Sequence, residues 1–497
     1  MSDLFLLLAP LGTLLFGGIF LLLLLLVVPP ERRLGFPYLA SVFVLLSFAF
    51  LVGDVQRFLV GGTPLLPSTA LFGRRALFLD GFSAFFQGIF LFGALFSLLL
   101  TPGRRAEVTG EYAELEGERS ALLLLATFGA ALMASSYDLL VLFVGMEILT
   151  VAAIVLVALR RRRTASQEAA FKYVVFSGIA SGIFLYGLSF LVGVAGETDV
   201  PRLFQSFAEM PWDVYPLAVL GVVLVFAGLT FKISSVPLYL WAPDVYEGAP
   251  TSATAFLAVV SKAAGFALFL RLFYPLFIGL PGMWSGFSQL VAGLAAWIGV
   301  LTMFVANLVA LRQTNLKRLL AYSSLAHSGY ILVPFAASSP LALEQMLFYL
   351  LAYLFMNLGA FAVADVVSRE RGDESLDALR GLYRRRPLLA AFMTLFVLSL
   401  AGIPLTAGFT GKLYLFLGAM WGGQRALAIA MAAASLIAYV YYFQILRMIF
   451  MREGESEAPV ALPWPQAAVL VFTAIGTLLG GVWPESFFQA LTWMFGA

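Results

Sequence analysis

The chain has no cysteine and a single histidine, His327. Without thiolates it can form no disulfide, no thiolate-type zinc site and no iron–sulfur cluster held by its own side chains. One histidine leaves a haem pocket short of ligands, and no glycine-rich nucleotide fingerprint follows a strand-like run. Bond-making redox chemistry is therefore expected outside this chain. Charge is also scarce: 12% of the 497 residues are charged, and a formal net charge of +2 does not point to nucleic acid. Lysine is scarce too, with five (Lys172, Lys232, Lys262, Lys317 and Lys412) among 30 basic residues. Arginine supplies nearly all the positive charge of the loops. Four of the lysines lie within or at the edge of apolar segments, and only Lys317 sits in an evident loop setting. Arginine cannot release its proton at accessible pH, whereas a buried lysine can. Lysine in the membrane and arginine outside it suggests groups selected to lose and regain protons.

What is abundant is apolar surface: 61% of residues are hydrophobic and the mean hydropathy is +0.95. Runs of eighteen or more apolar residues recur, which is the pattern of an all-α polytopic membrane protein. Its start, MSDLFLLLAPLG, lacks a basic region and a small-residue cleavage signal, so it reads as a first membrane helix rather than a removed signal. Fourteen segments are expected: 3–28, 37–60, 76–101, 119–135, 137–159, 166–194, 214–237, 250–274, 287–311, 315–336, 341–367, 387–418, 424–450 and 461–491. Only the SerSerTyrAsp turn at 135–138 separates the fourth from the fifth. Basic residues concentrate after odd-numbered segments: Arg32 and Arg33, Arg104 and Arg105, Arg160 to Arg163, Arg312 with Lys317 and Arg318, the run from Arg369 to Arg386, and Arg447 with Arg452. The positive-inside rule then places those loops in the cytoplasm and both termini outside, against Arg57, Arg74 and Arg75.

The stretch 226–262, FAGLTFKISSVPLYLWAPDVYEGAPTSATAFLAVVSK, organises the rest. Two apolar segments meet at a proline-rich, acidic interruption (Pro237, Pro243, Pro250), with Lys232 before it and Lys262 after it. Each lysine costs about 2.5–3.5 kcal/mol at a helix centre on insertion scales, and interrupted apolar segments mark ion or substrate sites in transporters. The motif echoes itself. EAAFKY at 168–173 matches EQMLFY at 344–349, and SSVPL at 234–238 matches AGIPL at 401–405. Units of five helices, four to eight and nine to thirteen, would enter the membrane from opposite sides. That predicts two inverted repeats, with helices seven and twelve interrupted at Pro237 and Pro404. The expected organisation is 1–118, an N-terminal three-helix segment; 119–274 and 287–450, the two repeats, each a proton half-channel; and 451–497, a C-terminal helix.

Mid-membrane carboxylates usually pair with a cation or join a proton path. Glu147, near the middle of the fifth segment, has Lys232 as its expected partner. Lys262 lies about a dozen residues into the eighth segment. Lys412 lies in AGIPLTAGFTGKLYLFLGAM, where Pro404, Gly408 and Gly411 could break the helix and free carbonyls to solvate a charge. Any one of these lysines could merely dock a neighbouring subunit or a helix end, but the three together favour transport. Two readings stay open at Lys172, snorkelling and function, and at His327, a core hydrogen bond and a proton relay beside Tyr322, Ser323, Ser324 and Ser328. Asp244 and Glu247 read as cap or loop residues, while 368–386 and REGESE at 452–457 read as solvated connections.

SSVPLYLWAPDVYEGAPTSATAFLAVVSK, RLLAYSSLAHSGYILV and PLTAGFTGKLYLF resemble the antiporter-like, proton-translocating membrane subunits of NADH–quinone oxidoreductase, over about 80–447. Lys412 after GFTG is similar to the N type, since the M type carries a glutamate in that helix. No long lateral helix follows the fourteenth segment, unlike the L type. The resemblance implies fourteen helices in two inverted five-helix units. It implies Glu147 and Lys232 as an ion pair of the first half-channel, Lys262 as a central lysine and Lys412 as the terminal lysine of the second. Lys172 falls in the matching motif of helix six, and His327 becomes a link between Lys262 and Lys412. It also implies a bacterial inner-membrane complex in which other membrane subunits, among them another antiporter-like subunit and small ones, are partners. FMN, iron–sulfur clusters and quinone belong to those partners, with no cofactor in this chain. Two rivals are a cation/proton antiporter subunit with the same fold and a structural subunit whose charges dock neighbours.

Overall fold

The computed structural model describes all residues except 1, 62–68, 72–73, 101–110, 208–209, 212, 279–284, 373, 455–461 and 496–497. Arg104 and Arg105, and residues 455–457 of the last acidic connection, therefore lie outside the described residues. The helices are α1 (Ser2–Leu24), α2 (Phe36–Gly61), α3 (Gly81–Leu99), α4 (Glu111–Ala134), α5 (Leu139–Ala158), α6 (Thr164–Ala195), α7 (Val200–Ser206), α8 (Tyr215–Lys232), α9 (Trp241–Gly248), α10 (Thr251–Phe256) and α11 (Lys262–Phe273). They continue with α12 (Pro275–Ile278), α13 (Ser285–Ala310), α14 (Leu316–Ala336), α15 (Ala342–Arg371), α16 (Leu382–Arg385), α17 (Pro387–Ala401), α18 (Ala407–Trp421), α19 (Arg425–Met451), α20 (Trp464–Val482) and α21 (Glu485–Phe495). The one sheet among the described residues is a short antiparallel hairpin, β1 (Thr69–Leu71) with β2 (Arg74–Leu77). Twelve helices among these residues are long and apolar enough to cross a bilayer, and two more apolar helices, Leu8–Leu24 and Pro387–Ala401, are shorter. A polytopic all-α membrane protein is thus the fold class.

Several expected boundaries move. The third segment starts at Gly81, because 74–77 is a strand and Asp80 caps the helix by accepting from the Ser83 amide at 2.8 Å. The turn at 135–138 is a true break: Asp138 accepts from the amides of Leu140 and Val141 and so opens α5. The seventh segment ends at Lys232 rather than 237, and the last ends at Val482.

The chain divides into two units, residues 1–233 with 260–291 and 494–497, and residues 234–259 with 292–493. In the first, α4 lies along α5 and α6 along α8, and both crossings are glycine on glycine. A Cβ on Gly129 would come within 2.8 Å of the Gly145 carbonyl oxygen, and one on Gly187 within 2.9 Å of that of Gly221. Small residues let helices touch where hydrocarbon gives no hydrophobic drive to associate. Every residue of α11 is buried, and the helix packs against α3, α4 and α8. The Arg271 guanidinium on α11, 1% exposed, binds both Asp80 oxygens (2.8 and 2.6 Å) and the Ala134 carbonyl, and stacks on Phe82 and Tyr137. The sequence reading had passed over this clamp. In the second unit α15 is central, packed on α14, α17, α18 and α20. Apolar side chains such as Phe171 and Trp297 face outward, as bilayer contact requires.

Removing one partner of a buried, hydrogen-bonded pair costs about 3–5 kcal/mol. Asp80→Ala, which strands the buried Arg271, is expected to lower subunit stability and yield by that order, read as melting of the detergent-solubilised assembly. Arg271→Leu, which leaves the 39% exposed Asp80 to solvent, is expected to lower them by less. Burial by itself raises the Asp80 carboxyl, but the Arg271 charge outweighs it and holds the group below the ordinary 3.8. The stabilisation is accordingly complete above the ordinary carboxylate range and disappears only as pH falls through that lowered value.

Candidate functional site

In the first unit Lys232 is the last residue of α8, where Ile233 leaves the helix and Ser234 turns to φ 54°. Its side chain is 3% exposed, and its Nζ donates to the Thr150 hydroxyl of α5 at 2.7 Å. The Thr150 hydroxyl itself donates to the Met146 carbonyl at 2.6 Å. Glu147, three residues before Thr150 and so on the same helical face, accepts from the Ser181 hydroxyl of α6 at 2.5 Å. The expected pair of Glu147 and Lys232 is thus not in direct contact. Each charge has a hydroxyl as its partner, while the carboxylate remains close enough to act on the ammonium through space. Lys262 opens α11, directly after a π-helical turn, Leu257–Ser261, and is 1% exposed. One turn on, the Gly265 backbone touches α8, where a Cβ would meet the Lys232 carbonyl at 3.0 Å. Glu147, Lys232 and Lys262 thus share one neighbourhood of α5, α8 and α11. Lys172 is elsewhere on α6, 36% exposed and paired with Glu168 at 2.6 Å across one helical turn.

The second unit holds Lys412 and His327. A break in the helix at 402–406 divides α17 from α18, with Gly402 at φ 90° and Leu405 at φ 73°. The Lys412 Nζ reaches back to the carbonyls of Leu400 and Ala401, both at 2.9 Å, which are the terminal acceptors of α17. A helix C-terminus carries partial negative charge and unpaired carbonyls, so it solvates an ammonium without any carboxylate. The helix is therefore interrupted around Pro404, as the sequence suggested, but Gly408 and Gly411 are not part of the break. Gly408 and Gly411 lie inside α18 and serve close packing on Ser399 and Tyr349. Gly402 also makes room, since a Cβ there would stand 2.9 Å from Lys412 Cδ. The ammonium lies 5.1 Å from the Tyr330 ring centre, a cation–π contact.

His327, on α14, is bracketed by phenols. Its Nδ1 bonds the Tyr349 hydroxyl at 2.6 Å and its Nε2 the Tyr442 hydroxyl at 3.1 Å. Tyr442 also bonds Ser323 at 2.5 Å. Tyr441 donates to Asn307, and Asn307 donates to Tyr330, both at 2.9 Å. Hydroxyls, an amide and an imidazole thus link the His327 level to the ring beneath Lys412. Each can donate and accept, which a proton relay needs.

Sequence reasoning missed Tyr349, Tyr442, Asn307 and Thr150. The only signal was the match of EQMLFY with EAAFKY, which ends on Tyr349. Lys317 was misjudged as a loop residue. Asn315 caps α14, so Lys317 falls in its first turn, fully buried, holding the Ala249 carbonyl at 2.9 Å and Glu374 at 3.0 Å. Asp244 and Glu247 lie on α9 and both bind Arg318, at 2.6 and 2.8 Å.

A family model for the membrane domain of NADH:quinone oxidoreductase and the Mrp antiporter matches residues 136–438. A subunit N of NADH-quinone oxidoreductase from Geobacillus sp. (strain WCH70) is 44% identical over 433 residues, covering 86% of this chain and 87% of the relative. The chain belongs to the subunit N family of NADH-quinone oxidoreductases. Among solved structures, a chain of respiratory complex I from Thermus thermophilus with bound aureothin is 31% identical, with a TM-score of 0.78 over 97% of this chain and 99% of that one. A chain of the Mrp complex from Dietzia sp. DQ12-45-1b, 21% identical over 100% and 97% of the two chains, shows the same fold with a TM-score of 0.82.

Thr150→Val keeps the shape of the side chain and removes the hydroxyl that Lys232 bonds among the described residues. Proton pumping per NADH in vesicles is expected to fall several-fold with assembly retained.

Proposed function

We propose that this chain is a proton-translocating membrane subunit of NADH:quinone oxidoreductase, moving protons outward across a bacterial inner membrane as partner subunits reduce quinone. One observation carries the reading. The buried cations that hold the fold are paired with acids: Arg271 with Asp80, Arg119 with Glu116, Lys317 with Glu374. Lys232 and Lys412 instead hydrogen-bond neutral oxygens, the Thr150 hydroxyl and two backbone carbonyls. An ammonium held by neutral acceptors can give up its proton without stranding a buried carboxylate, whereas a salt-bridged one cannot.

In this reading a proton enters at Lys232, passes Lys262 and His327, and reaches Lys412, with water in between and Glu147 tuning entry by its charge. Lys172 contributes at the helix surface through its pair with Glu168. Fourteen helices, two inverted repeats over 119–274 and 287–450 and external termini are the matching topology, flanked by the segments 1–118 and 451–497. Another antiporter-like subunit, small membrane subunits and lipid surround it, while FMN, iron–sulfur clusters and the quinone site lie in partners. Likeness of fold to the Mrp complex keeps the second reading, a cation/proton antiporter subunit, in view.

The test is NADH-driven pumping in inverted membrane vesicles with Lys262→Ala, after assembly is confirmed. Loss of at least half of the pumping, with NADH oxidation still measurable, is expected. Undiminished pumping would remove Lys262 from the path. Sodium movement driven by a pH gradient in the purified chain would favour the antiporter.

A further inference from the structure

Between α15, α18, α20 and α21 of the second unit lies a cavity of about 180 Å³. Phe348, Ala352 and Phe355 of α15 line it, with Ala407 at the start of α18 and Leu479 and Trp483 from the end of α20. The only polar side-chain groups among the lining residues are the Trp483 indole N–H and the Ser486 hydroxyl. The hydroxyl is already donated to the Trp483 carbonyl at 2.9 Å. A buried water needs two to four polar partners, and an apolar cavity of about this size stays dry and takes up a hydrocarbon such as benzene.

Two features hold the space open. Gly476 and Gly480, one turn apart on α20, already bring that helix hard against its neighbours. A Cβ on Gly476 would come within 2.6 Å of the Phe355 ring, and one on Gly480 within 2.8 Å of Ala407 Cβ. α20 therefore cannot move closer to shut the cavity. The wall formed by Phe348 is equally fixed, since its ring packs on Phe487 and Phe488 with centres 5.1 and 5.2 Å apart, and Phe488 packs on Tyr414 at 4.6 Å. Rings interlocked in this way do not swing into the void, and an unfilled void forfeits dispersion contacts for every atom that lines it.

What lies outside decides what fills it. Leu479 is 56% exposed and Trp483 is 65% exposed. Leu479 is in the last turn, and Trp483 directly follows the end, of a helix long and apolar enough to cross a bilayer, Trp464–Val482. Tryptophan at such an end marks the boundary between headgroups and acyl chains. The material at the mouth of the cavity is therefore lipid hydrocarbon.

We infer that this cavity seats one acyl chain of a bilayer phospholipid, whose headgroup lies at the level of Trp483. The chain reaches Ala407, the first residue of α18 after the helix break, so lipid packs behind the segment that carries Lys412. The site requires only the membrane fold and is independent of the proton path.

The test places the assembled complex in vesicles that contain phosphatidylethanolamine with a diazirine in its acyl chain. After irradiation, adducts on this subunit would be mapped by mass. Phe348 and Ala352 are 2% and 3% exposed, so a label on either arrives through the cavity. Labelling of both is expected, beside labelling of the outward-facing Phe472 and Ile475 of α20. Ala352→Phe, which fills the cavity, is expected to lower labelling at Phe348 at least fivefold and to leave Phe472 and Ile475 unchanged. Ala352→Leu, a smaller change that serves if the phenylalanine variant fails to assemble, is expected to lower it at least twofold. Unlabelled Phe348 and Ala352 in the native complex, beside labelled Phe472 and Ile475, would overturn the site and is the result that a partner's protein segment in the cavity would give. Labelling at Phe348 that neither variant reduces would overturn it as well.

Discussion

A charge inside hydrocarbon must be hydrogen-bonded by the protein, and the choice of acceptor decides what the charge can do. This chain uses two kinds of acceptor. Arg271, Arg119 and Lys317 are held by carboxylates and add backbone carbonyls to complete their donors. Such pairs fix geometry. Lys232 and Lys412 are held by neutral oxygens, so the neutral lysine leaves behind only a hydroxyl or a pair of carbonyls. In the proposed reading, the division between fixed and exchangeable charge follows that difference in partner rather than chain position or depth. Lys317 and Lys412 are both buried, yet only Lys412 lacks an acid.

The backbone supplies the neutral acceptors. Breaking a membrane helix exposes carbonyls that would otherwise be spent within it, and the protein must then place a donor on them. At 402–406 the break ends α17, and Lys412 of α18 folds back onto the exposed end. Only a residue without a Cβ tolerates φ 90° and the 2.9 Å approach of the lysine chain at Gly402. Close glycine crossings elsewhere, such as Gly299 on Gly329 in the second unit, let helices carry polar residues at their interfaces without opening gaps. Around His327 this produces a buried polar layer drawn from α13, α14, α15 and α19, a layer that rests on hydrogen bonds rather than on charge.

Much of this was legible in the sequence. Apolar run lengths gave the helices, because hydrocarbon forces backbone groups to pair locally. The rarity of lysine gave Lys232, Lys262 and Lys412, because its cost in a membrane makes each occurrence informative. Partners were less legible. Nothing in local periodicity brings Thr150 to Lys232 from 82 residues away, or Tyr442 to His327 from 115. Glu147 was assigned to Lys232 by charge, yet the direct hydrogen-bond partners are Ser181 for the carboxylate and Thr150 for the ammonium. Lys317 failed for another reason. It sits beside arginines in what reads as a loop, and only the Asn315 cap and the α9 carbonyl above it show that it is buried.

The most direct test of the account replaces Lys412 with arginine. Lys412→Arg keeps the positive charge and hydrogen bonds to the α17 carbonyls, but a guanidinium does not give up its proton. The quantity to measure is protons moved per NADH oxidised by the assembled complex in vesicles. The account predicts an assembled enzyme with clearly reduced pumping. Wild-type pumping with arginine at 412 would contradict it, and would show that the site needs only a fixed positive charge.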